Sequence, residues 1–344
     1  MPRNIQPITR IKLTRFTAFQ SLDLRPSRGI NVFVGANGTG KTHIMKVAYA
    51  ACEATRPQVR LADKLVAVFL PSQGRIGRLV KRQRGLSDTA IQIWRGDTSI
   101  RTTFSTGAKS ADRARVTPRR WQDTPTKAVY IPVKEMLANA PGFRSLYAER
   151  SVHFEEVYAD VLDRAYLPLQ RGPVDSQRRR ILNQLAKVLE GKVSFSNEEF
   201  FLRSRQSKLE FTLVAEGLRK LGLLWLLLQN GTLLEGSILF WDEPETNLNP
   251  KLFGPVIQIL LELQRMGVQV FMATHDYAIL KQLDLRATEG DQVAYHALYR
   301  DDDNQLACNT VHNYSNVSPN TIADAFDDLY DLDIERAINP TGDI

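Results

Sequence analysis

The chain has 344 residues, 43% of them hydrophobic and 24% charged, enough for a large buried core and ordinary for a water-exposed globular protein. Its longest apolar stretch, LGLLWLLL at Leu221–Leu228, is far short of a bilayer span of roughly 20 residues; the start MPRNIQPITR lacks an apolar leader, and Cys52 and Cys308 form no C-x-x-C pair, which argues against a membrane span, secretion, a disulfide framework or a cysteine zinc site. The expected location is cytoplasmic, and the net charge of +7 is uneven: from Arg300 onward two basic and ten acidic residues give −8, leaving +15 on residues 1–299.

ITRIKLTRFTAFQSLDLRPSRGINVFVGANGTGKT predicts strand, turn, strand, loop and helix. INVFVG is a continuous β-branched and apolar run, as in a buried strand of a parallel sheet. HIMKVAYAACEA continues as a helix that closes before Pro57. Residues 57–130 are less regular; the alternating TAIQIWRG and SIRTTFS predict an antiparallel β layer. KAVYIPV (Lys127–Val133) predicts a buried strand, and Lys134–Glu190 reads as helical with interruptions at Pro141, Pro168 and Gly172-Pro173. Short strands are expected over residues 191–213. Then AEGLRKLGLLWLLLQ predicts a helix, SILFWDEP a core strand, NPKLFGPVIQILLELQRMG a helix and VQVFMATHD another core strand. QVAYHALYRDDDNQLACNTVHNY reads as a hairpin, followed by the acidic helix PNTIADAFDDLYDLDIERAI.

Three stretches carry chemistry. In GANGTGKT (Gly35, Ala36, Asn37, Gly38, Thr39, Gly40, Lys41, Thr42), the glycines let backbone N–H groups curl around phosphate oxygens at a helix N-terminus. Lys41 supplies a cation for β/γ-phosphates and the Thr42 hydroxyl a Mg²⁺ ligand, so ATP and Mg²⁺ are the expected cofactors. In ILFWDEPETNLNP four apolar residues deliver Asp242 and Glu243 to the C-terminal end of a core strand, where open α/β sheets place their chemistry. Asp242 suits a Mg²⁺ partner and Glu243 a base for the attacking water; an acidic cap at a strand-to-helix turn is the plainer alternative. FMATHD ends a core strand at His275, whose neutral imidazole could hydrogen-bond a γ-phosphate. Basic clusters at Arg75–Arg84, Arg113–Arg120, Arg171–Arg180 and Arg203–Lys208 read as solvated faces or as a surface for phosphate backbones.

Together, GANGTGKT, SILFWDEPETNLNP and FMATHD, in that order, resemble the ABC-type ATPases, and among them the soluble SMC/RecF-like branch rather than transporter subunits. The opening IKLTRFTAF…GINVFVGANGTGKT is similar to that branch as well. The resemblance implies an α/β fold: an ABC ATPase head with a P-loop parallel-sheet core, an antiparallel β layer and an inserted helical lobe. It divides the chain into the N-terminal half of the head (1–133), a helical insertion (134–190), the C-terminal half (191–299) and an acidic end (300–344). ETNLNP becomes the D-loop, with Asn249 among the nucleotide-contacting residues, and His275 the switch histidine. Such heads complete each ATP site with a signature loop from a second head. The matching position is VAEGL (Val214–Leu218), where Gly217 fits a close approach to a γ-phosphate, while Ala215 replaces the usual serine and Glu216 the first glycine. Arg219 or Lys220 is a candidate for the missing donor. The expected Q-loop reads VKEML, without glutamine, leaving Lys134 or Glu135 for that position.

Only about 170 residues separate Thr42 from Val214, too few for the long heptad arms of chromosome-organising relatives. The chain therefore looks like a compact stand-alone head, similar to soluble ATPases that accompany a separate effector, a nuclease or toxin, in bacterial anti-phage systems. The expected assembly is a homodimer or higher homo-oligomer with ATP between heads, and the basic middle region is a possible DNA surface. The alternative is a RecF-like DNA-repair ATPase. Asp301–Asp303 reads as a hairpin tip rather than a metal cluster, and no nuclease is expected in this chain. Apolar Ile322, Phe326, Leu329, Leu332 and Ile334 of the last helix are expected to pack on their own domain, with docking of a basic partner as the other reading.

Overall fold

The computed structural model describes residues 6–149 and 152–338. Strands β1 (Arg10–Phe16) and β2 (Phe19–Leu24) form a hairpin, and β3 (Ile30–Val34), buried at every residue, leads to the glycine-rich loop and helix α1 (Lys41–Glu53). Helix α2 (Leu61–Phe69) follows; between Pro57 and Pro71 its LADKLVAVF is too short for helical periodicity to stand out from sequence, yet Leu61, Leu65 and Val68 are buried. Strands β4 (Asp88–Arg95), β5 (Thr98–Ser105) and β6 (Arg115–Arg119) precede β7 (Ala128–Ile131). Helices α3 (Phe143–Ala148), α4 (Glu156–Ala165) and α5 (Ser176–Val188) occupy the expected helical region. Three short strands, β8 (Lys192–Ser196), β9 (Glu199–Arg203) and β10 (Lys208–Glu210), lead to α6 (Glu216–Gln229). The chain closes with β11 (Ile238–Asp242), α7 (Phe253–Arg265), β12 (Gln269–Ala273), α8 (Tyr277–Arg286), the hairpin β13 (Val293–Arg300) and β14 (Leu306–Val311), and α9 (Thr321–Ile338).

The central sheet has the order β14-β13-β3-β12-β11-β7, parallel throughout except for the edge strand β14. A second sheet, β2-β1-β4-β5-β6, is wholly antiparallel, and β10-β9-β8 forms a small third one. Because side chains alternate along a strand, each core strand serves two layers. Ile30, Val32, Leu239, Trp241, Val270 and Met272 share one buried cluster with α6 and α7. Phe33, Phe240 and Phe271 point to the other, shared with α1 and the antiparallel sheet. There the aromatic rings stack across strands: Phe33–Phe271, Phe271–Phe240 and Phe240–Tyr130 centroids lie 6.3, 5.0 and 6.3 Å apart. This cross-strand ladder fixes the register that brings the loops at the strand ends into line.

A polar seam joins α4 to α1, the helix that follows the glycine-rich loop, and to α2. Arg164 meets Glu53 at 2.5 Å with both side chains nearly excluded from solvent, Lys64 meets Glu156 and Asp160 at 2.7 and 2.6 Å, and Tyr49 donates to Asp160 at 2.6 Å. The four basic clusters divide two and two. Arg75–Arg84 and Arg113–Arg120 border the antiparallel sheet, whereas Arg171–Arg180 enters α5 and Arg203–Lys208 forms the β9–β10 turn.

Asp301–Asp303 sits at the turn of the β13–β14 hairpin, as expected, with Asp301 Oδ1 accepting from the Gln305 N–H at 2.7 Å. The expectation for α9 is overturned. Only Ile322 is buried; Phe326 stacks on Tyr277 with centroids 4.7 Å apart but stays half exposed, and Leu329, Leu332 and Ile334 are open to solvent. The described part of the chain covers just the first turns of this helix.

Candidate active site

The glycine-rich loop follows β3 and turns into α1 through three glycines in the left-handed region, Gly35 at φ 145°, Gly38 at 79° and Gly40 at 87°. Two of them are also needed for space. A Cβ on Gly35 would lie 2.2 Å from the Leu298 carbonyl oxygen, and one on Gly40 would lie 2.6 Å from the Phe19 ring. Ala36, Asn37 and Gly38 form the exposed crest, and the buried Thr39 hydroxyl donates to the Ala36 carbonyl at 2.8 Å. Lys41 Nζ reaches back over the loop to donate to the carbonyls of Gly35 (2.5 Å) and Ala36 (3.0 Å). Burial lowers the Lys41 pKa, and Glu243, Asp242 and Glu245 oppose that by favouring its charged form.

Parallel pairing of β11 with β12, and of β12 with β3, brings three loops to one end of the sheet. Thr42 donates to Asp242 Oδ1 at 3.3 Å, and Tyr130, on the neighbouring β7, donates to Asp242 Oδ2 at 3.0 Å. Burial raises the Asp242 pKa, while these two hydrogen bonds favour the carboxylate. Glu243 has a left-handed backbone, φ 48°, which turns its side chain away from the strand; Oε1 lies 3.4 Å from His275 Nδ1 and Oε2 accepts from Thr246 at 3.1 Å. Glu243 and His275 are both partly exposed.

The facing hydroxyl and carboxylate of Thr42 and Asp242 are hard oxygen donors suited to Mg²⁺. That ion usually takes one or two protein ligands together with nucleotide phosphates and water. No group of three or more His, Cys, Asp or Glu able to hold a metal exists among the described residues. The left-handed glycines, the Lys41 ammonium and the N-terminus of α1 form a cradle for phosphate oxygens. The residues present therefore fit both ATP and Mg²⁺.

Sequence reasoning missed Glu245. Its Oε1 accepts from the Thr274 hydroxyl at 2.7 Å and the His275 N–H at 3.3 Å, so it locks the loop after β11 to the loop after β12 and holds His275 opposite Glu243. Burial raises its pKa. The ETNLNP stretch displays several polar residues, and only tertiary pairing singles this one out.

The signature region packs closely against its own chain. Gly217 is buried in the first turn of α6, and a Cβ there would lie 2.5 Å from the Asn247 carbonyl oxygen. The close approach that demands glycine is thus to the D-loop of the same chain. Lys220, 1% exposed, donates to the carbonyls of Glu243 (3.5 Å) and Thr246 (3.2 Å), and Arg219 donates to the Val214 carbonyl (2.7 Å) and to Glu135 (3.4 Å). Neither is a free outward donor in this arrangement. Lys134 faces solvent, whereas the Glu135 side chain turns inward and also accepts from the Leu137 and Ala138 N–H groups. Asn249 is exposed and caps the turn before α7, accepting from Lys251 N–H at 3.0 Å.

A family model described as "AAA domain, putative AbiEii toxin, Type IV TA system" matches residues 72–281, beginning beyond the glycine-rich loop. The DNA replication and repair protein RecF of Vibrio atlanticus (strain LGP32) is 24% identical over 160 residues, covering 46% of this chain and 43% of that protein. This chain thus matches less than half of that relative's length. Among solved structures, an SMC head bound to the C-winged helix domain of ScpA aligns with TM-score 0.57 at 13% identity over 89% of this chain and 97% of that one. An SMC head with an extended coiled coil, bound to the C-terminal domain of ScpA derived from Pyrococcus furiosus, aligns with TM-score 0.51 at 12% identity over 94% and 99%. At such identities the likeness establishes the fold, that of an SMC-type ABC ATPase head.

Proposed function

This chain belongs to the AAA-domain family whose model matches it and has an SMC/RecF-like ABC ATPase head fold, and from that premise we propose that it binds and hydrolyses ATP and uses the cycle as a dimerisation switch. The observation that carries this is the convergence of Lys41, Thr42, Asp242, Glu243 and His275 at one end of the central sheet.

In this reading the loop Gly35–Thr42 holds the triphosphate, and Lys41 leaves the carbonyls of Gly35 and Ala36 for phosphate oxygens. Thr42 and Asp242 would hold Mg²⁺, which when bound would neutralise developing charge on the phosphates. Glu243 accepts a proton from the attacking water, and His275, held at 3.4 Å from it, orients that carboxylate and contacts the γ-phosphate. Two heads close with ATP between them, the α6 N-terminus and the D-loop facing the opposite head, and hydrolysis releases them. The output is conformational: nucleotide favours the closed state only by its differential affinity for it. A separate effector protein reads that state, in the manner of anti-phage ATPases. Glu243→Gln is expected to keep ATP binding while turnover falls by about 10²- to 10⁴-fold. Equal turnover in Glu243→Gln and the parent chain would refute the assignment of the base.

One observation favours the RecF-like alternative, in which DNA is the direct ligand. Arg15, Arg101, Arg113 and Arg115 line a trough on the antiparallel sheet beside Thr14 and Thr103, with Asp88 as its one carboxylate. Binding of duplex DNA that weakens steeply with salt, and is lost in Arg101→Glu with Arg115→Glu, would support that reading. Salt-independent or absent binding would remove it.

A further inference from the structure

The last helix is the least economical part of the described fold. Ile322, Phe326 and Leu329 lie four and three residues apart and share one face of α9, with Tyr330 and Leu332 along its edges. Ile322 is buried and Phe326 rests on Tyr277, so this strip begins as an intramolecular contact. It then runs on uncovered: Leu329 is 61% exposed, Tyr330 66% and Leu332 62%. Scattered exposed apolar residues are ordinary on a protein surface, but neighbouring ones rimmed by charge, as Leu329, Tyr330 and Leu332 are, mark an interaction site. Asp324, Asp327, Asp328, Asp331 and Glu335 line the opposite side, Asp333 closes the strip four residues beyond Leu329, and the helix as a whole carries six carboxylates against one arginine.

We propose that α9 is a docking arm for a separate protein that presents a basic amphipathic helix. Leu329, Tyr330 and Leu332 supply the apolar contact, and the surrounding carboxylates select lysine and arginine at its margins. Charge complementarity decides the occupant. Pairing of α9 with its copy from a second chain would bury the same strip, but would bring twelve carboxylates together against two arginines. A basic helix relieves the repulsion within α9 that another acidic helix would increase. The uncovered strip adjoins Tyr277, the first residue of α8, two positions beyond His275. This surface is where the effector invoked above would attach, and the inference rests on that reading only for the effector's existence; docking itself requires no ATP turnover.

The test uses the full chain without nucleotide and, as probe, a synthetic helix of about four turns with leucine on one face and lysine on the other. Fluorescence anisotropy is expected to show saturable binding that weakens with salt and falls about tenfold or more in Leu329→Ser with Leu332→Ser. The same peptide with glutamate for lysine is expected to bind about tenfold more weakly or not at all. Both substituted residues are exposed, and unchanged circular dichroism and ATP binding of the variant would show that the fold persists. Equal binding by parent and variant, or by the lysine and glutamate peptides, overturns the proposal. So does a parent chain that dimerises alone, through α9, into a form that the double substitution makes monomeric, since a second copy would then be the occupant. Failure of these arms with ATP hydrolysis intact would discard the docking surface and leave the ATPase reading standing.

Discussion

Single residues in this chain show how burial, rather than residue type, sets a role. His275 and His296 are both strand-associated histidines, yet the first is partly exposed beside Glu243 while the second is fully buried in β13 between Thr310 and Asn31. Burial, with a smaller contribution from His312, pushes the His296 pKa down to about 3, and burial lowers His43 to about 4. A histidine neutral in the fold but protonated when unfolded contributes stability that is complete above its ordinary pKa of about 6.5 and is lost as pH falls toward the folded value. Unfolding free energy measured in urea is therefore expected to fall between about pH 6 and pH 4 by up to about 1.4 kcal/mol per pH unit for each of the two. His296→Gln should remove one of these contributions and flatten the curve. An unchanged slope would show that His296 does not stay neutral in the fold. The candidate site residues could be picked out in the sequence because short-range spacing marks them: Lys41 and Thr42 follow three glycines, and Asp242 and Glu243 end an apolar strand. Glu245 could not, because its partners Thr274 and His275 lie far along the chain.

At the scale of elements, the core strands announced themselves as apolar runs, while α2 and α8 did not. Both are short, and no element is predicted for residues 277–286; in the fold Asp276 accepts the Ile279 N–H at 2.9 Å and caps α8. The contact of α4 with α1 was likewise invisible, since an Arg164–Glu53 pair gives no periodic signal. It joins the helical region to the helix that follows the phosphate loop, with Tyr49, Lys64 and Asp160 alongside. Arg164→Ala would leave the buried Glu53 carboxylate with only Arg56, 3.4 Å away and half exposed. The expected cost is about 3 kcal/mol, at the lower end for breaking a buried pair, read as a shift in the urea midpoint. Arg164→Ala with Glu53→Gln should recover part of that loss; a double variant weaker than the sum of its singles would contradict the ion-pair account. The signature helix α6 gives the opposite lesson. Its glycine was recognised from resemblance, but the Cβ-excluding contact is with Asn247 of the same chain. Gly217 thereby fits the signature turn against the D-loop, so the two loops that would face a second head form one packed unit.

For the whole molecule, the two sheets meet over one aromatic layer and leave the nucleotide loops, the D-loop and the first turn of α6 as connected features of a head fold. Fold class was legible through the resemblance carried by GANGTGKT, SILFWDEPETNLNP and FMATHD; the exposure of α9 was not, because an amphipathic sequence does not say whether its apolar face is covered from within or from without. The central claim is that ATP closes two such heads. Light-scattering mass of Glu243→Gln, with and without ATP–Mg²⁺ and beside Lys41→Ala, tests it most directly. The account predicts that mass doubles only in Glu243→Gln and only with nucleotide. A mass indifferent to ATP in a protein shown to bind it would contradict the switch.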